Sequence, residues 1–185
     1  MGSLLVVTGP PGSGKSTVSK LLAEETGPSA LVEGDQFFAF LARDAIPPWL
    51  PESHQQNTVV VTAAAAATGR FASGGFFTVY DGVVGPWFLP TFGAGTGLAE
   101  LDYVVLMPTL ETCLGRVMTR RDHGFRDEAA TRKMHEEFAR AGVAPRHTLS
   151  VGSETPAEVA DRIRQARDAG ALRFAVPRLA GPSES

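Results

Sequence analysis

Residues 9–17, with the sequence GPPGSGKST, constrain the possible fold of this chain more than any other segment. They match the phosphate-binding pattern G-x-x-x-x-G-K-[ST]. An apolar run of strand length, residues 4–7, precedes them, and Val18 and Leu22 begin a helical stripe after them. Such a loop holds phosphate because its backbone N–H groups turn inward and the start of the following helix adds its dipole. We therefore predict a strand, a phosphate-binding loop and a helix in the first 25 residues.

The pattern also gives individual side chains of the loop distinct roles. Lys15 supplies a full positive charge to the phosphate chain, and the hydroxyl of Ser16 is placed to bind Mg²⁺. We expect Thr17 to contact the phosphate nearest the nucleoside. The loop residues predicted to contact a nucleotide are Gly9, Gly12, Ser13, Gly14, Lys15, Ser16 and Thr17.

Strand-like and helix-like segments alternate along the rest of the chain. The predicted strands are residues 4–8, 29–32, 76–80, 103–107 and 147–151. The predicted helices are residues 15–25, 36–43, 53–71 and 110–118, one containing Met134 and Phe138, and one starting at Thr155. Residues 53–56 resemble a capping box, and residues 92–97 read as a glycine-rich connection. This order predicts one α/β domain over residues 1–185, with a parallel sheet, right-handed crossovers and a frayed tail at residues 181–185.

The composition excludes several classes of protein. A formal net charge of −3 disfavours a surface that coats extended nucleic acid. The single cysteine, Cys113, cannot form an internal disulfide, which favours the reducing cytoplasm. No apolar run approaches the length that spans a bilayer, so we expect no membrane partner. His54, His123, His135 and His147 show no metal-ligand spacing, and we interpret them as surface or capping residues and expect no structural metal.

Two aspartates follow predicted strands, at the edge of the sheet where sites form in such folds. Asp35, in VEGDQFF, could orient an acceptor hydroxyl and take its proton, or it could cap the next helix. Asp81, in VYDGVVGPW, could hold Mg²⁺ or bind substrate, or it could be a turn residue, because Asp-Gly is a common turn pair. We favour the functional interpretation for both.

Four arginines, Arg116, Arg120, Arg121 and Arg126, cluster around a polar segment. Guanidinium groups can neutralise the charge on a phosphoryl group during its transfer. The alternative is a solvated helix face whose arginines pair with neighbouring aspartates.

Aromatic side chains concentrate between the second predicted strand and the segment after the third. Most are expected in the core, but Trp49 and Trp87 lie in proline-bearing loops on the side of the sheet where we expect the active site. We select Phe38 and Trp87 as candidates for a partly apolar acceptor pocket.

The motifs resemble those of the small P-loop kinases that act on metabolites, near gluconate kinase, shikimate kinase and chloramphenicol phosphotransferase. GPPGSGKST is similar to their Walker A loop, and VEGDQFF resembles their segment after strand two. VYDGVVGPW resembles the strand-three aspartate of the chloramphenicol phosphotransferase type. CLGRVMTRRDHGFRD and KMHEEF resemble the arginine-bearing lid and the next helix of gluconate kinase-like proteins. The arginine and double-glycine signature of shikimate kinase is not evident.

The resemblance implies a three-layer fold with a five-stranded parallel sheet in the order 2-3-1-4-5, helices on both faces and a lid at about residues 120–127. It implies ATP and Mg²⁺ as cofactors. The catalytic residues it implies are Lys15, Asp35 and Arg120. Arg116 and Arg121 would join the loop in binding the nucleotide, and Asp35, Phe38, Asp81 and Trp87 would contact the acceptor.

The expected activity is transfer of the γ-phosphate of MgATP to a hydroxyl of a small molecule, such as a metabolite, a sugar acid or a hydroxylated antibiotic. A chain of this kind would act as a monomer or homodimer. Two alternatives are a P-loop NTPase or regulatory nucleotide-binding module, and a nucleoside or polynucleotide-end kinase. The first would need a water-orienting residue and a protein partner, and the mild acidity of the chain disfavours a long nucleic-acid track.

Overall fold

The computed structural model of the protein describes residues 2–24, 27–119 and 126–177, in which strands and helices alternate. The strands are β1 (Ser3–Thr8), β2 (Ser29–Glu33), β3 (Phe77–Asp81), β4 (Glu100–Pro108), β5 (Thr148–Val151) and β6 (Arg173–Ala175). The helices are α1 (Lys15–Glu24), α2 (Gly34–Ala39), α3 (His54–Ser73), α4 (Leu89–Thr96), α5 (Leu110–Thr119), α6 (Glu128–Arg140) and α7 (Pro156–Asp168). The predicted lid covers residues 120–127, of which 120–125 lie outside the described residues, and the predicted tail at residues 181–185 lies outside them entirely.

The five long strands form the parallel sheet that the sequence predicts, in the order β2-β3-β1-β4-β5. The central strand β1 pairs with β3 and β4, and Val7 stands opposite Asp81 in the register with β3. One strand was not predicted. The short β6 pairs antiparallel with the first residues of β4, which begins at Glu100, three residues before its predicted start.

Alternation along β1 divides the core into two halves. Leu4 and Val6 pack with the buried residues of α3 and α4, whereas Leu5 and Val7 pack with those of α1 and α7. A strand covered on both faces needs apolar residues at every position, which explains the uninterrupted run of residues 4–7. The result is a sheet between two layers of helices.

Residues 92–96 are helical, so the prediction of a glycine-rich connection at residues 92–97 was wrong. Phe92 is fully buried on α4, and the helix ends at Gly97, whose φ of 69° is left-handed. The glycines of α4 serve close packing against α3. A Cβ on Gly95 would lie 2.9 Å from the Cβ of Ala65, which is tighter than side chains normally pack.

The capping box predicted at residues 53–56 was also wrong. The Ser53 hydroxyl donates to the carbonyl oxygens of Pro48 (2.9 Å) and Leu50 (2.7 Å) instead of accepting from the helix. The Gln56 amide binds the backbone N–H and C=O of Ile46, both at 2.8 Å. A 3₁₀ turn at Pro51–Ser53 leads into α3, so these side chains are free to hold the preceding loop in place.

One histidine lies where the sequence did not place it. His147 is buried rather than a surface or capping residue, because its ring sits against Tyr103 and Phe174 at the base of β5. Among the described residues, none of the helices combines the length and the apolar character needed to cross a bilayer.

Candidate functional site

The loop between β1 and α1 depends on three glycines. Gly9, Gly12 and Gly14 have φ values of 149°, 79° and 92°, which side-chain-bearing residues rarely adopt. Gly12 is also enclosed, because a Cβ there would lie 2.4 Å from the carbonyl oxygen of Cys113. The loop is therefore seated directly against α5.

Arg116, on α5, supports this loop through hydrogen bonds to its backbone. Its Nη1 donates to the carbonyl oxygens of Gly12 and Ser13, each at 3.3 Å. Because the C=O and N–H of a peptide unit point in opposite directions, the bond to Ser13 turns the N–H of Gly14 away from the guanidinium. Arg116 thus helps to fix the loop in a form whose N–H groups can receive phosphate.

A cavity of about 370 Å³, here called the α7 cavity, opens on one side of the loop. Its wall combines loop residues, α5 and the turn between β5 and α7. The lining residues are Ser13, Gly14, Thr17, Val18, Arg116, Thr119, Val151, Glu154, Pro156 and Val159. Its apolar floor at Val151 and Val159 and its polar rim at Thr17 and Arg116 suit the base and sugar of a nucleotide.

A second cavity of about 310 Å³, here called the aromatic cavity, is lined by other residues of the same loop. Lys15 and Ser16 line it where it meets the loop. Its aromatic wall consists of Phe38, Trp49, Tyr80, Trp87 and Phe88. The remaining lining residues are Pro11, Gly34, Asp35, Pro48, Asn57, Val61, Val83, Val117, Met134 and Glu137.

Asp81, at the end of β3, lies buried beside the loop. Burial raises the pKa of its carboxyl above the ordinary value, and the carboxylates of Asp35 and Glu33 act in the same direction. Lys15 and a hydrogen bond with the Ser16 hydroxyl oppose this rise in the pKa. Within the described chain, Asp81 Oδ1 has no hydrogen-bond partner.

These groups fit a magnesium ion. Carboxylate and hydroxyl oxygens are the ligands that Mg²⁺ prefers, and a buried carboxylate oxygen without a partner is one that a cation would stabilise. Asp81 and Ser16 are the residues that could hold the ion. Asp81 is part of β3, so it is not the turn residue of the alternative interpretation.

Five of the predicted site residues line one cavity: Lys15, Ser16, Asp35, Phe38 and Trp87. Asp35 is exposed in the first turn of α2, and the residue at the N-cap position is Glu33, so Asp35 is not the helix cap. Asp81 lies next to Ser16, and Arg116 contacts the loop and lines the α7 cavity. Arg126 is exposed at the start of the segment before α6. Arg120 and Arg121 lie outside the described residues.

Polar lining residues that sequence reasoning did not select include Asn57, Glu137 and Glu154. Asn57 carried a weak signal, since it lies on the buried face of α3, where most of the other residues are valine or alanine. Glu154 follows β5 at the same sheet edge as the two aspartates. The expectation that sites form at the carboxyl ends of parallel strands could therefore have found it. Glu137 gave no signal, because on α6 it reads as an ordinary solvated charge.

No known protein-family profile and no curated protein matches the sequence. Solved structures do match the fold. A sugar kinase from Janibacter sp. HTCC2649 superposes with a TM-score of 0.66 at 20% identity, over 91% of this chain and 95% of that one. The tunicamycin resistance protein of Deinococcus radiodurans superposes with a TM-score of 0.68 at 16% identity, over 96% of this chain and 99% of that one. Shikimate kinase from Acinetobacter baumannii gives 0.62 at 20% identity, over 92% and 95%. The described chain therefore has the fold of the P-loop kinases, as its sequence motifs predict.

Proposed function

We propose that this protein transfers the γ-phosphate of ATP to a hydroxyl group of a small molecule. The observation that carries the proposal is the pair of cavities that meet at one phosphate loop. Ser13, Gly14 and Thr17 face the α7 cavity, while Lys15 and Ser16 face the aromatic cavity. A reaction between two bound molecules needs two sites that adjoin the same phosphate loop, because donor and acceptor must both reach the transferred group.

On the donor side, the loop from Gly9 to Thr17 would hold the phosphate chain through its N–H groups and Lys15. The α7 cavity would receive the base and ribose. Ser16 and Asp81 would hold Mg²⁺, which when bound neutralises charge on the phosphate oxygens. Arg116 would keep the loop in its binding form. Arg120 and Arg121 stay proposals from the sequence, as groups that neutralise phosphoryl charge and bind nucleotide.

On the acceptor side, Asp35 would accept a hydrogen bond from the attacking hydroxyl and so orient its oxygen toward the γ-phosphorus. As the new O–P bond forms and the bond to the ADP oxygen breaks, the hydroxyl proton passes to the Asp35 carboxylate. Phe38 and Trp87 would exclude water and hold the acceptor. Exclusion of water favours transfer to the bound alcohol over hydrolysis.

The alternative of a regulatory NTPase has less support. A hydrolase that uses water needs no second cavity with an aromatic wall. The carboxylate of Asp35 in that cavity is better suited to an alcohol held by the wall than to a freely exchanging water.

An assay of ADP formation with MgATP and a panel of sugars, nucleosides and aromatic alcohols tests the proposal. We expect ADP formation that requires an acceptor, with the phosphate found on that acceptor by ³¹P NMR. Lys15→Ala should lower turnover by several orders of magnitude and leave the circular dichroism spectrum unchanged. Steady ATP hydrolysis that no alcohol stimulates would instead favour the regulatory NTPase.

We further propose that the chain works as one domain in the cytoplasm, as a monomer or homodimer. A free and buried Cys113, the only cysteine of the sequence, supports a reducing compartment.

A further inference from the structure

The aromatic cavity has an unusual charge balance for a site that would accept a phosphoryl group. Among its described lining residues, Asp35 and Glu137 carry negative charge, and Lys15 is the one cation. Lys15 belongs to the phosphate loop, so its charge is matched by the ATP phosphates rather than by the acceptor. Lys133 of α6 lies nearby, but its ammonium donates to the carbonyl oxygen of Trp49 at 2.9 Å and it does not line the cavity. Within the cavity, a carboxylate or phosphate on the acceptor would therefore meet two negative side chains.

The aromatic wall of the cavity offers apolar surface to an acceptor. Trp87 is 42% exposed and packs on Phe138, with ring centroids 5.1 Å apart. Its ring lies against the backbone of Gly85, where a Cβ would be 2.3 Å from the indole. The indole is thus held in place, and aromatic faces of this kind bind both apolar rings and cations.

Asn57 adds a directional group beside the same cavity. Its side-chain Nδ2 donates to the carbonyl oxygen of Pro48 (2.7 Å) and to the Ser53 hydroxyl oxygen (2.9 Å). Its Oδ1 is buried and has no hydrogen-bond partner within the described part of the chain. An unpaired buried acceptor is costly, so a bound molecule that donates a hydrogen bond to it would gain affinity.

We propose that the acceptor is a neutral or cationic aromatic alcohol, and that sugar acids and other anionic alcohols are poor acceptors. The ring of the acceptor packs on Trp49 and Trp87 of the aromatic wall. A hydrogen-bond donor of the acceptor pairs with Asn57 Oδ1, and the acceptor hydroxyl donates to the Asp35 carboxylate. Glu137 disfavours anionic groups at the outer part of the cavity. This inference rests on the proposed function, because it names the acceptor for the same site.

Three small aromatic alcohols of different charge test the preference: phenylalaninol, which is cationic at pH 7, N-acetylphenylalaninol, which is neutral, and 3-phenyllactate, which is anionic. The only two tryptophans of the chain, Trp49 and Trp87, both line the cavity, so intrinsic fluorescence reports binding without nucleotide. We expect the first two to bind at least about tenfold more tightly than 3-phenyllactate, a modest effect for charges a few ångströms apart. Equal or tighter binding of 3-phenyllactate, or no binding of any of the three, would overturn the inference.

A charge reversal at Glu137 distinguishes an effect of the cavity from an effect of the net charge of the protein. Glu137→Lys should tighten binding of 3-phenyllactate and weaken binding of phenylalaninol. Glu111→Lys makes the same change in net charge at an exposed position of α5 outside the aromatic cavity, and it should alter neither. Equal effects of the two variants would contradict a role for Glu137 in selecting the acceptor.

The contribution of Asn57 is tested by a second pair. Asn57→Asp and Asn57→Leu both remove the Nδ2 donor, but the aspartate variant keeps an oxygen acceptor. We expect only the leucine variant to lose affinity for N-acetylphenylalaninol, with circular dichroism to verify folding. Equal losses would assign Asn57 to holding the loop at Pro48 alone.

Binding and transfer are measured separately, so the two proposals can fail separately. The expected binding order without phosphate transfer to any bound alcohol would count against the proposed function and leave the chemistry of the cavity intact. Transfer of phosphate to 3-phenyllactate in preference to the other two would uphold the proposed function and refute the acceptor class.

Discussion

Two carboxylates flank the phosphate loop, and their surroundings give them different capacities. Asp35 is exposed in the first turn of α2 and reaches a cavity large enough for a second substrate. Asp81 is 6% exposed, and one of its oxygens has no partner among the described residues. A solvated carboxylate can exchange a proton with a bound alcohol, whereas a desolvated one is better suited to hold a cation.

Replacing Asp35 by asparagine tests whether this carboxylate takes the proton of a bound alcohol. Asp35→Asn should leave MgATP affinity nearly unchanged, because Asp35 lies outside the α7 cavity and the loop. Phosphoryl transfer should fall about 10²–10⁴-fold, the usual range for loss of a positioned proton acceptor. Calorimetric titration of MgATP beside a transfer assay measures both quantities.

Asp168→Asn is the matched control, since Asp168 is exposed at the end of α7 and lines neither cavity. It should transfer phosphate at the parental rate. Parental transfer by Asp35→Asn as well would remove Asp35 from the catalytic residues and leave Asp81 as the better candidate.

Replacing Asp81 by asparagine tests whether this carboxylate holds a cation. Asp81→Asn should raise the Mg²⁺ concentration needed for half-maximal transfer, because a neutral amide binds the ion less well than a carboxylate. Binding of aromatic alcohols, followed by tryptophan fluorescence, should not change. An unaltered Mg²⁺ requirement with weaker alcohol binding would reassign Asp81 to the acceptor.

The loop residues could be predicted from the sequence, whereas much of the acceptor cavity could not. The roles of Gly12, Gly14 and Lys15 follow from a contiguous motif whose conformation is local. Asn57 and Glu137 are 80 positions apart on α3 and α6, and only the packing of those helices brings them to one cavity. No pattern in either helix contains that information.

At the level of elements, glycine in α4 was misread because glycine indicates a turn in most sequence contexts. Here it permits α3 and α4 to approach closely. Gly69 of α3 faces α4, and a Cβ on it would lie 2.0 Å from the carbonyl oxygen of Thr96. The fold uses small residues on both helices to bring them together.

Gly69→Ala should therefore destabilise the protein. The added methyl must move α4, and overpacking of this kind typically costs about 1–3 kcal/mol. Gly115→Ala is the control, because Gly115 lies within α5 and a Cβ there would meet nothing within 4 Å. That change should stabilise the protein by up to about 1 kcal/mol, the helix preference of alanine over glycine. Urea unfolding measures both, and equal stabilities would show that α4 adapts freely.

At the level of the whole molecule, the sheet order follows from the alternation of elements and the phosphate loop, because right-handed crossovers leave few arrangements. The alternation of elements does not predict the strand β6. It is three residues long, and what fixes it is the extra length of β4, where Glu100 to Asp102 pair with it. The surroundings of His147 also arise only in the folded chain, since the ring is buried between β4 and β6.

Burial of His147 should make the stability of the whole protein depend on pH. Its Nδ1 lies 3.0 Å from the carbonyl oxygen of Tyr103, and its Nε2 accepts from the Arg146 guanidinium at 3.1 Å. A ring that donates at Nδ1 and accepts at Nε2 is neutral. Desolvation lowers its pKa below the ordinary value of 6.5; the charge of Arg146 adds to this, and the bond to Tyr103 and the charge of Asp102 oppose it.

Because the unfolded chain binds a proton at about pH 6.5 and the folded chain only at lower pH, the unfolded state takes up more protons in that window. The stability that neutral His147 contributes is thus complete above pH 6.5 and is lost as the pH falls toward the folded pKa. We expect the free energy of unfolding in urea to decrease between pH 7.5 and 5.5, and to decrease less in His147→Gln, which cannot titrate. The two proteins differ only at position 147, so the difference between their pH dependences reports on this ring. Parallel decreases would mean that the buried ring accepts a proton without cost, and that its contact with Arg146 does not hold it neutral.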